Sequence, residues 1–489
     1  MVRAALRAVG LARGRRHRMR DLLILAIVFG SIPLILARPW VGILMWYWIG
    51  LMVPHRLAWG IAVHFPVAQV VGLAALVGLL LAKDRKSIPL TRETVLMGLF
   101  AIHISVSTYF AWAPTAFGQW EQTMKILLMT FLTPVLIFGR HRIMWLFLVI
   151  TVSIGFYGLK GGAFSVLTGG SYRVWGPSGS FIGANTALGM ALIMVLPLML
   201  IAARMFRERR AGIPMLERWS FPLGYFFYAM FGLSVLATIF TYSRGSWLGL
   251  LAVAPLIYLK MRHKLILALT GLVMAGSVVA LMPEQVFNRF DTIQTFEEDW
   301  SAMQRLQAWG VAWNMASERP LIGVGFRNHD IHPELWLSYA NWVEPWANSP
   351  RTAHSIFFQV IGQQGFLGAA IYFSMILFTI LTLLRVYRRA ARIESTAWMR
   401  DIAWALLVGM FGFLVAGAFL DMAYFTMVYV FIAMAVIMRR ELDQATAREP
   451  VAAASSRNSR TMEVRRPELP TAPVHGRSPR HPSGSTRHA

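Results

Sequence analysis

The run FIGANTALGMALIMVLPLMLIAARMFRERR, residues 181–210, decides the fold. From Phe181 to Ala203 it carries no charge. A helix of that length, at about 1.5 Å of rise per residue, crosses a hydrocarbon core of ~30 Å. Arg204, Arg207, Arg209 and Arg210 follow at once. An apolar run of span length closed by a basic cluster marks a membrane helix ending on the cytoplasmic side. The alternation recurs. Basic connectors stand at Lys83 to Lys86, Arg140 to Arg142, Arg204 to Arg210, Lys260 to Lys264, Arg385 to Arg392, and Arg439-Arg440. Between consecutive connectors there is room for two spans.

Composition agrees. Of 489 residues 56% are hydrophobic and 14% charged, against about 25% charged in a soluble domain. This excludes a cytosolic enzyme, a disordered protein and a disulfide-stapled secreted domain. With no Cys, thiol catalysis, Cys-ligated zinc, iron–sulfur clusters and disulfides are excluded together. The net charge of +24 would suggest nucleic acid in a soluble protein. Here it gathers in connectors, so the expected partner is the lipid bilayer and no nucleic acid.

The expected fold is therefore all-α: a polytopic integral membrane protein with about twelve transmembrane helices and one large periplasmic loop. Residues 1–20 form a basic cytoplasmic N-terminus, with Met19 an alternative start. Residues 21–282 hold transmembrane helices with short periplasmic loops. Residues 283–353 are the large loop, 354–438 the C-terminal transmembrane helices, and 439–489 a disordered basic cytoplasmic tail. Residues 21–53 are too long for one span. Pro33 or Arg38-Pro39 breaks them into a hairpin or a kinked helix, and the side expected for Lys83 to Lys86 favours one net crossing.

In the large loop, Glu298 to Ser317 reads as an amphipathic helix with Met303, Leu306, Trp309 and Trp313 at helical spacing. Its tryptophans read either as interfacial anchors or as a platform for sugars. Charged groups at span ends are the candidates for chemistry. Arg173 and Arg244 sit in short outside connectors, where the charge rule disfavours them. Lys125 lies in an apolar run one turn from Glu121. Arg305 is on the loop helix. Arg351 and His354 stand where the loop re-enters the membrane, three apart, and share a face if the re-entry is helical. Arg suits bidentate recognition of phosphate, so converging arginines fit a lipid diphosphate; the competing reading is snorkelling or pairing with loop carboxylates. His354 titrates near neutrality and suits a general base; the competing reading is an interfacial hydrogen bond. Asp421, at an outside turn, is either a solvated residue or an orienter of that base. His329-Asp330-Ile331-His332 has metal-like spacing but no evident third ligand. No Asp-x-Asp pair, Walker A motif or dinucleotide fingerprint occurs.

Taken in order, the Arg173…Asn185 segment, the Ser243-Arg244-Gly245 break, Arg305-x3-Trp309…Pro320-x2-Gly323-x-Gly325, and His354-Ser355 with Gly365-x2-Gly368 resemble the O-antigen ligase and polymerase superfamily of bacterial membrane glycosyltransferases. The resemblance covers roughly residues 20–440. Met19 through Trp40 and Met52 to Gly60 look like a narrower subfamily of O-glycosylation ligases associated with exosortases. Ser355 stands where the superfamily has Asn. The resemblance implies en bloc transfer of a glycan from undecaprenyl diphosphate to an acceptor hydroxyl, either lipid A-core or a protein, at the periplasmic side of the inner membrane, without cofactor or metal. It implies catalytic roles for His354, Arg244 and Arg173. Arg351, Arg305, Lys125, Asn185 and Trp309 are the expected substrate-binding residues. A polymerase shares fold and donor. A transporter or flippase would place charge at the bilayer midplane and show inverted repeats, and neither is evident.

Overall fold

Proline is tolerated in the first turn of a helix because its missing N–H has no intrahelical partner there. Pro39 uses this. In the computed structural model, helix α1 (Val2–Ala37) stops before Arg38, and α2 (Pro39–Met52) starts at Pro39. Pro33 stays inside α1. The structure describes residues 2–58, 60–82, 87–261, 276 and 300–464. The expected span 265–282 apart from residue 276, the connector Lys83 to Lys86, the loop start 283–299 and the tail end 465–489 lie outside the described residues.

The chain continues through α3 (Val67–Leu81), α4 (Arg92–Tyr109), α5 (Ala116–Leu136), α6 (Gly139–Leu167), α7 (Asn185–Arg207), α8 (Ser220–Ile239) and α9 (Arg244–Lys260). It then passes through α10 (Trp300–Glu318), α11 (Pro333–Ser338), α12 (Ile356–Arg389), α13 (Ala397–Gly417) and α14 (Thr426–Val464). Among the described residues no strand occurs, and six helices are long and apolar enough to cross a membrane. These begin at Met19, Gly139, Asn185, Pro214, Ile356 and Glu394. The protein is all-helical and of multi-pass membrane type. The chain divides into two units, Met1–Asp443 and Gln444–Ala489. In the second, the segment expected to be disordered is helical as far as Val464.

The α1–α2 hairpin corrects the expected topology. Asp21 Oδ1 accepts hydrogen bonds from the backbone N–H of Gly60 and of Ala62, each at 3.3 Å. The start of the apolar part of α1 thus lies beside the segment after α2. The Arg38-Pro39 turn lies at the other end, where the Arg142 guanidinium sits 5.6 Å from the Trp40 ring and Gly78 of α3 abuts Ile35 and Pro39. Residue 21 and Ala82 are therefore at opposite ends. A net single crossing by residues 21–53, which would bring residue 21 and Ala82 to one end, does not fit. The cause is local: Arg38-Pro39 makes the turn that the length of the run requires.

The opening sequence becomes α7, the centre of the bundle. Every residue from Ala187 to Ala203 is buried, with α6, α8, α9 and α13 packed around it. Small residues permit this closeness, as at other helix contacts in lipid. A Cβ on Gly409 of α13 would strike the Met194 carbonyl, and one on Gly158 of α6 would strike Ser234 of α8. The loop helix α10 forms, but its buried stripe is Gln307, Ala308, Val311, Ala312 and Met315. Leu306 and Trp313 are exposed. Small side chains let α10 lie close on α12, where Gly362 faces Ala312.

Candidate functional site

Helix α12 begins with a break. Gly365 adopts φ 67, ψ −178, a conformation open essentially to glycine alone. Backbone groups freed inside a membrane bundle must be satisfied by protein, and here they are. Gln363 O accepts from Gly325 N at 2.9 Å and from Ser107 Oγ at 3.2 Å. Gln364 O accepts from His103 Nε2 at 2.9 Å, and Phe366 N donates to Pro320 O at 2.8 Å. The Pro320-x2-Gly323-x-Gly325 loop is thus the seat of the broken helix. A Cβ on Gly323 would lie 2.5 Å from Gly365 N. This fixes the direction in which residues 347–355 leave the half-helix.

His354 ends that segment. It is not on a helix; α12 starts at Ile356, so the helical face expected for Arg351 and His354 does not exist. His354 instead has φ 47, uncommon for a residue with a Cβ and a mark of stored strain. Asp421, between α13 and α14, holds it there. The His354 N–H donates to Asp421 Oδ2 at 2.8 Å, and ring Nδ1 lies 3.5 Å from the same oxygen. Asp421 Oδ1 is buried with no hydrogen-bond partner among the described residues. Thr352 Oγ1 lies 3.3 Å from Nε2. The His354 side chain remains half exposed. Burial lowers its pKa from the ordinary imidazole value, the Arg305 and Arg351 charges lower it further, and Asp421 opposes them. The lowered pKa favours the neutral imidazole, the form a base needs.

Helix α10 braces this loop. Arg351 Nη1 donates to Gln304 Oε1, and Gln304 Nε2 donates to Trp346 O at 2.7 Å. Trp309 Nε1 donates to Ala353 O at 2.7 Å, while its ring stacks on Phe358 at 4.9 Å. Trp309 thus has one face and its N–H in use bracing the segment that carries His354. Arg305 is near enough for its charge to act on His354. His329 is also within electrostatic reach of Asp421 and His354; burial lowers its pKa first, with Asp330 opposing. Asp330 is tied to Thr115 Oγ1 and Arg327 Nε, both at 2.6 Å. Burial raises its pKa, but these bonds outweigh that and hold the carboxyl below its usual value. His332 is exposed ahead of α11. Among the described residues no three His, Asp or Glu side chains converge on a metal position.

Arg244 opens α9, whose N-cap Ser243 Oγ accepts from Ser246 N at 3.2 Å. The next residue, Gly245, lies against Phe419 and Ala416, just ahead of Asp421. Arg244 is therefore at the His354 end of the molecule. Arg173 is brought there by its neighbour: Val174 N donates to Phe240 O at 2.9 Å, and Tyr242 Oη donates to Gly170 O at 2.6 Å. The Arg173 guanidinium sits 5.8 Å from the Trp175 ring centre. Asn185 is buried and donates to Thr241 O at 2.8 Å. It props the Arg244 loop through this bond.

Lys125 stands apart from these groups. Its Nζ is 2.5 Å from Glu121 Oε1, and it lines a cavity of about 420 Å³ with His55, Arg56, Gln69, Gln122 and Phe181. Phe181 in turn meets Phe425, their centroids 6.3 Å apart, so the cavity adjoins the turn that carries Asp421. His55 and Arg56 had no individual signal in the sequence. They follow α2, whose C-cap Val53 takes the left-handed conformation with φ 50.

The fold and this site define a class: a multi-pass helical membrane protein whose irregular loops gather at one end around a histidine, a carboxylate and arginines. Residues 229–373 match O-antigen ligase and belong to that superfamily. The matched segment contains Arg244, Arg305, Trp309, Arg351, His354 and Gly365. Residues 19–206, with Lys125, Arg173 and Asn185, match a family of unknown function (DUF5935). No curated protein matches the chain.

Proposed function

We propose that this protein moves a glycan en bloc from undecaprenyl diphosphate to an acceptor hydroxyl, that of lipid A-core in lipopolysaccharide synthesis. The site lies on the periplasmic side of the inner membrane. The observation that carries this reading is His354: strained, lowered in pKa, and held by Asp421 in an O-antigen ligase domain with Arg305 and Arg351 beside it.

Asp421 faces Nδ1, so Nε2 is the basic nitrogen. It takes the proton of the acceptor hydroxyl as that oxygen attacks the anomeric carbon. The bond to the diphosphate oxygen breaks on the opposite face, which inverts the anomeric configuration. Negative charge builds on the leaving diphosphate, and Arg244 and Arg173 stabilise it. Fixed guanidinium groups make the step independent of a metal. Lys125, in the adjoining cavity, attracts the same anion from the lipid side.

Purified protein, a polyprenyl-diphosphate-linked glycan and lipid A-core test this. Transfer with inversion supports the reading. Donor binding without transfer to lipid A-core, but with transfer to a polypeptide, would replace the acceptor. A ladder of lengthened glycans would make the protein a polymerase.

A further inference from the structure

The finish of α12 carries a second site of different chemistry. Arg385, Arg388 and Arg389 from α12 and Arg92 from the start of α4 surround a cavity of about 440 Å³ walled by Leu381 and Leu384. Arg92 is fixed there, its guanidinium 4.6 Å from the centre of the Phe378 ring. Among the described residues, no carboxylate lines the cavity. Three other cations at this end have protein acceptors. Lys260 pairs with Asp401 at 3.0 Å, Arg204 donates to Lys260 O at 2.6 Å, and Arg142 donates to Leu136 O at 2.9 Å. Among the described residues, no side-chain hydrogen bond or ion pair engages Arg385, Arg388 or Arg389.

Two apolar stripes lead away from the four guanidinium groups. On α4, Val95, Leu99, Ile102 and Val106 are exposed, in register with Arg92 at helical spacing. On α12, Leu367, Leu377 and Leu381 are exposed in register with Arg388. The two helices pack together. From Arg92 to Val106 the stripe rises about 21 Å, more than the ~15 Å half-depth of a hydrocarbon core. A row of arginines at the mouth of an apolar groove matches one kind of molecule, an acidic phospholipid. The headgroup phosphates meet the fork-shaped guanidinium donors, and acyl chains cover the stripes. Basic pockets between transmembrane helices bind such headgroups.

We propose that the groove between α4 and α12 binds an anionic phospholipid with two headgroup phosphates, at the membrane face remote from His354. Four unopposed cations balance two phosphodiesters better than one. The proposal is independent of the transfer reaction.

The test is native mass spectrometry of the full chain from nanodiscs of equimolar phosphatidylethanolamine, phosphatidylglycerol and cardiolipin. The expected result is one retained cardiolipin per chain, preferred over phosphatidylglycerol. Arg92→Gln and Arg388→Gln should each lower its occupancy roughly fivefold, the weight of one arginine near an acidic surface. Leu381→Trp fills the groove without changing charge and should displace the lipid equally. Arg218→Gln removes a charge outside the groove and should change nothing. Melting temperature and elution volume report whether each variant is folded. Equal retention of the three lipids, an equal loss in Arg218→Gln, or retention unaffected by Leu381→Trp would overturn the proposal. Displacement of the lipid by inorganic phosphate at the same concentration would also overturn it, making the pocket a site for a free anion.

Discussion

The two ends of α12 use positive charge in opposite ways. At its start, Arg351 is tied to Gln304 on α10, and His354 is locked to Asp421 in a strained backbone. At its finish, Arg385, Arg388 and Arg389 are exposed beside Arg92, Leu381 and Leu384. The first arrangement fixes direction: each group is positioned for one geometry. The second provides attraction without direction. Substitution at the first end should therefore act on turnover and pH dependence. Substitution at the second should act on lipid affinity and be sensitive to ionic strength, because exposed charge is screened.

The sharpest way to break this contrast is Asp421→Asn. It keeps an acceptor for the His354 N–H but removes the charge that orients the ring. A loss of about 10²-fold or more in kcat is expected, with KM little changed. Undiminished kcat would reduce Asp421 to a structural tie. Next is Gly365→Ala. Its Cβ would lie 2.6 Å from Pro320 O and 2.8 Å from Gly323 N, at a φ of 67. A stability loss of at least ~1–3 kcal/mol from backbone strain is expected, read as a lower melting temperature. Gly232→Ala, with open space around it, serves as the control.

Trp309→Phe keeps the stack on Phe358 and deletes the bond to Ala353 O. One hydrogen bond is worth about 1 kcal/mol, so transfer should fall roughly fivefold. No change would mean the stack alone holds the loop. The smallest effect belongs to Arg305→Gln. Arg305 helps lower the His354 pKa, so its removal raises that pKa. Activity requires neutral His354 and falls as pH drops through its pKa, so the acid limb of the pH–rate profile should move to higher pH. A shift to lower pH would contradict the electrostatic account.

Much of this was legible from residue patterns alone. Charge and apolar length marked the helices, and the segments that carry Arg173, Arg244 and His354 lie toward the same end. The failures have physical causes. Helical spacing between Arg351 and His354 suggested a shared face, but the turn before α12 is set by long-range bonds from Asp421 and Trp309. The bond from Asn185 to the Thr241 carbonyl, in a break between spans, joins residues far apart in the chain and leaves no local pattern. The large apolar residues of α10 suggested its buried face, whereas close packing on α12 selects Ala308 and Ala312. The Arg38-Pro39 hairpin was one of two open readings, and only its contacts with Gly78 and Arg142 decide between them. His55, Arg56 and Lys125 are far apart in sequence, so their common cavity depends on tertiary structure.

The most direct test of the central claim is transfer by the purified protein with EDTA present, comparing the wild type with His354→Ala at matched donor binding. The account predicts that the wild type is unaffected by chelation and that the variant, still folded and still binding donor, loses about 10²–10⁴-fold in rate. Full transfer by His354→Ala, or loss of wild-type transfer on chelation, would contradict it.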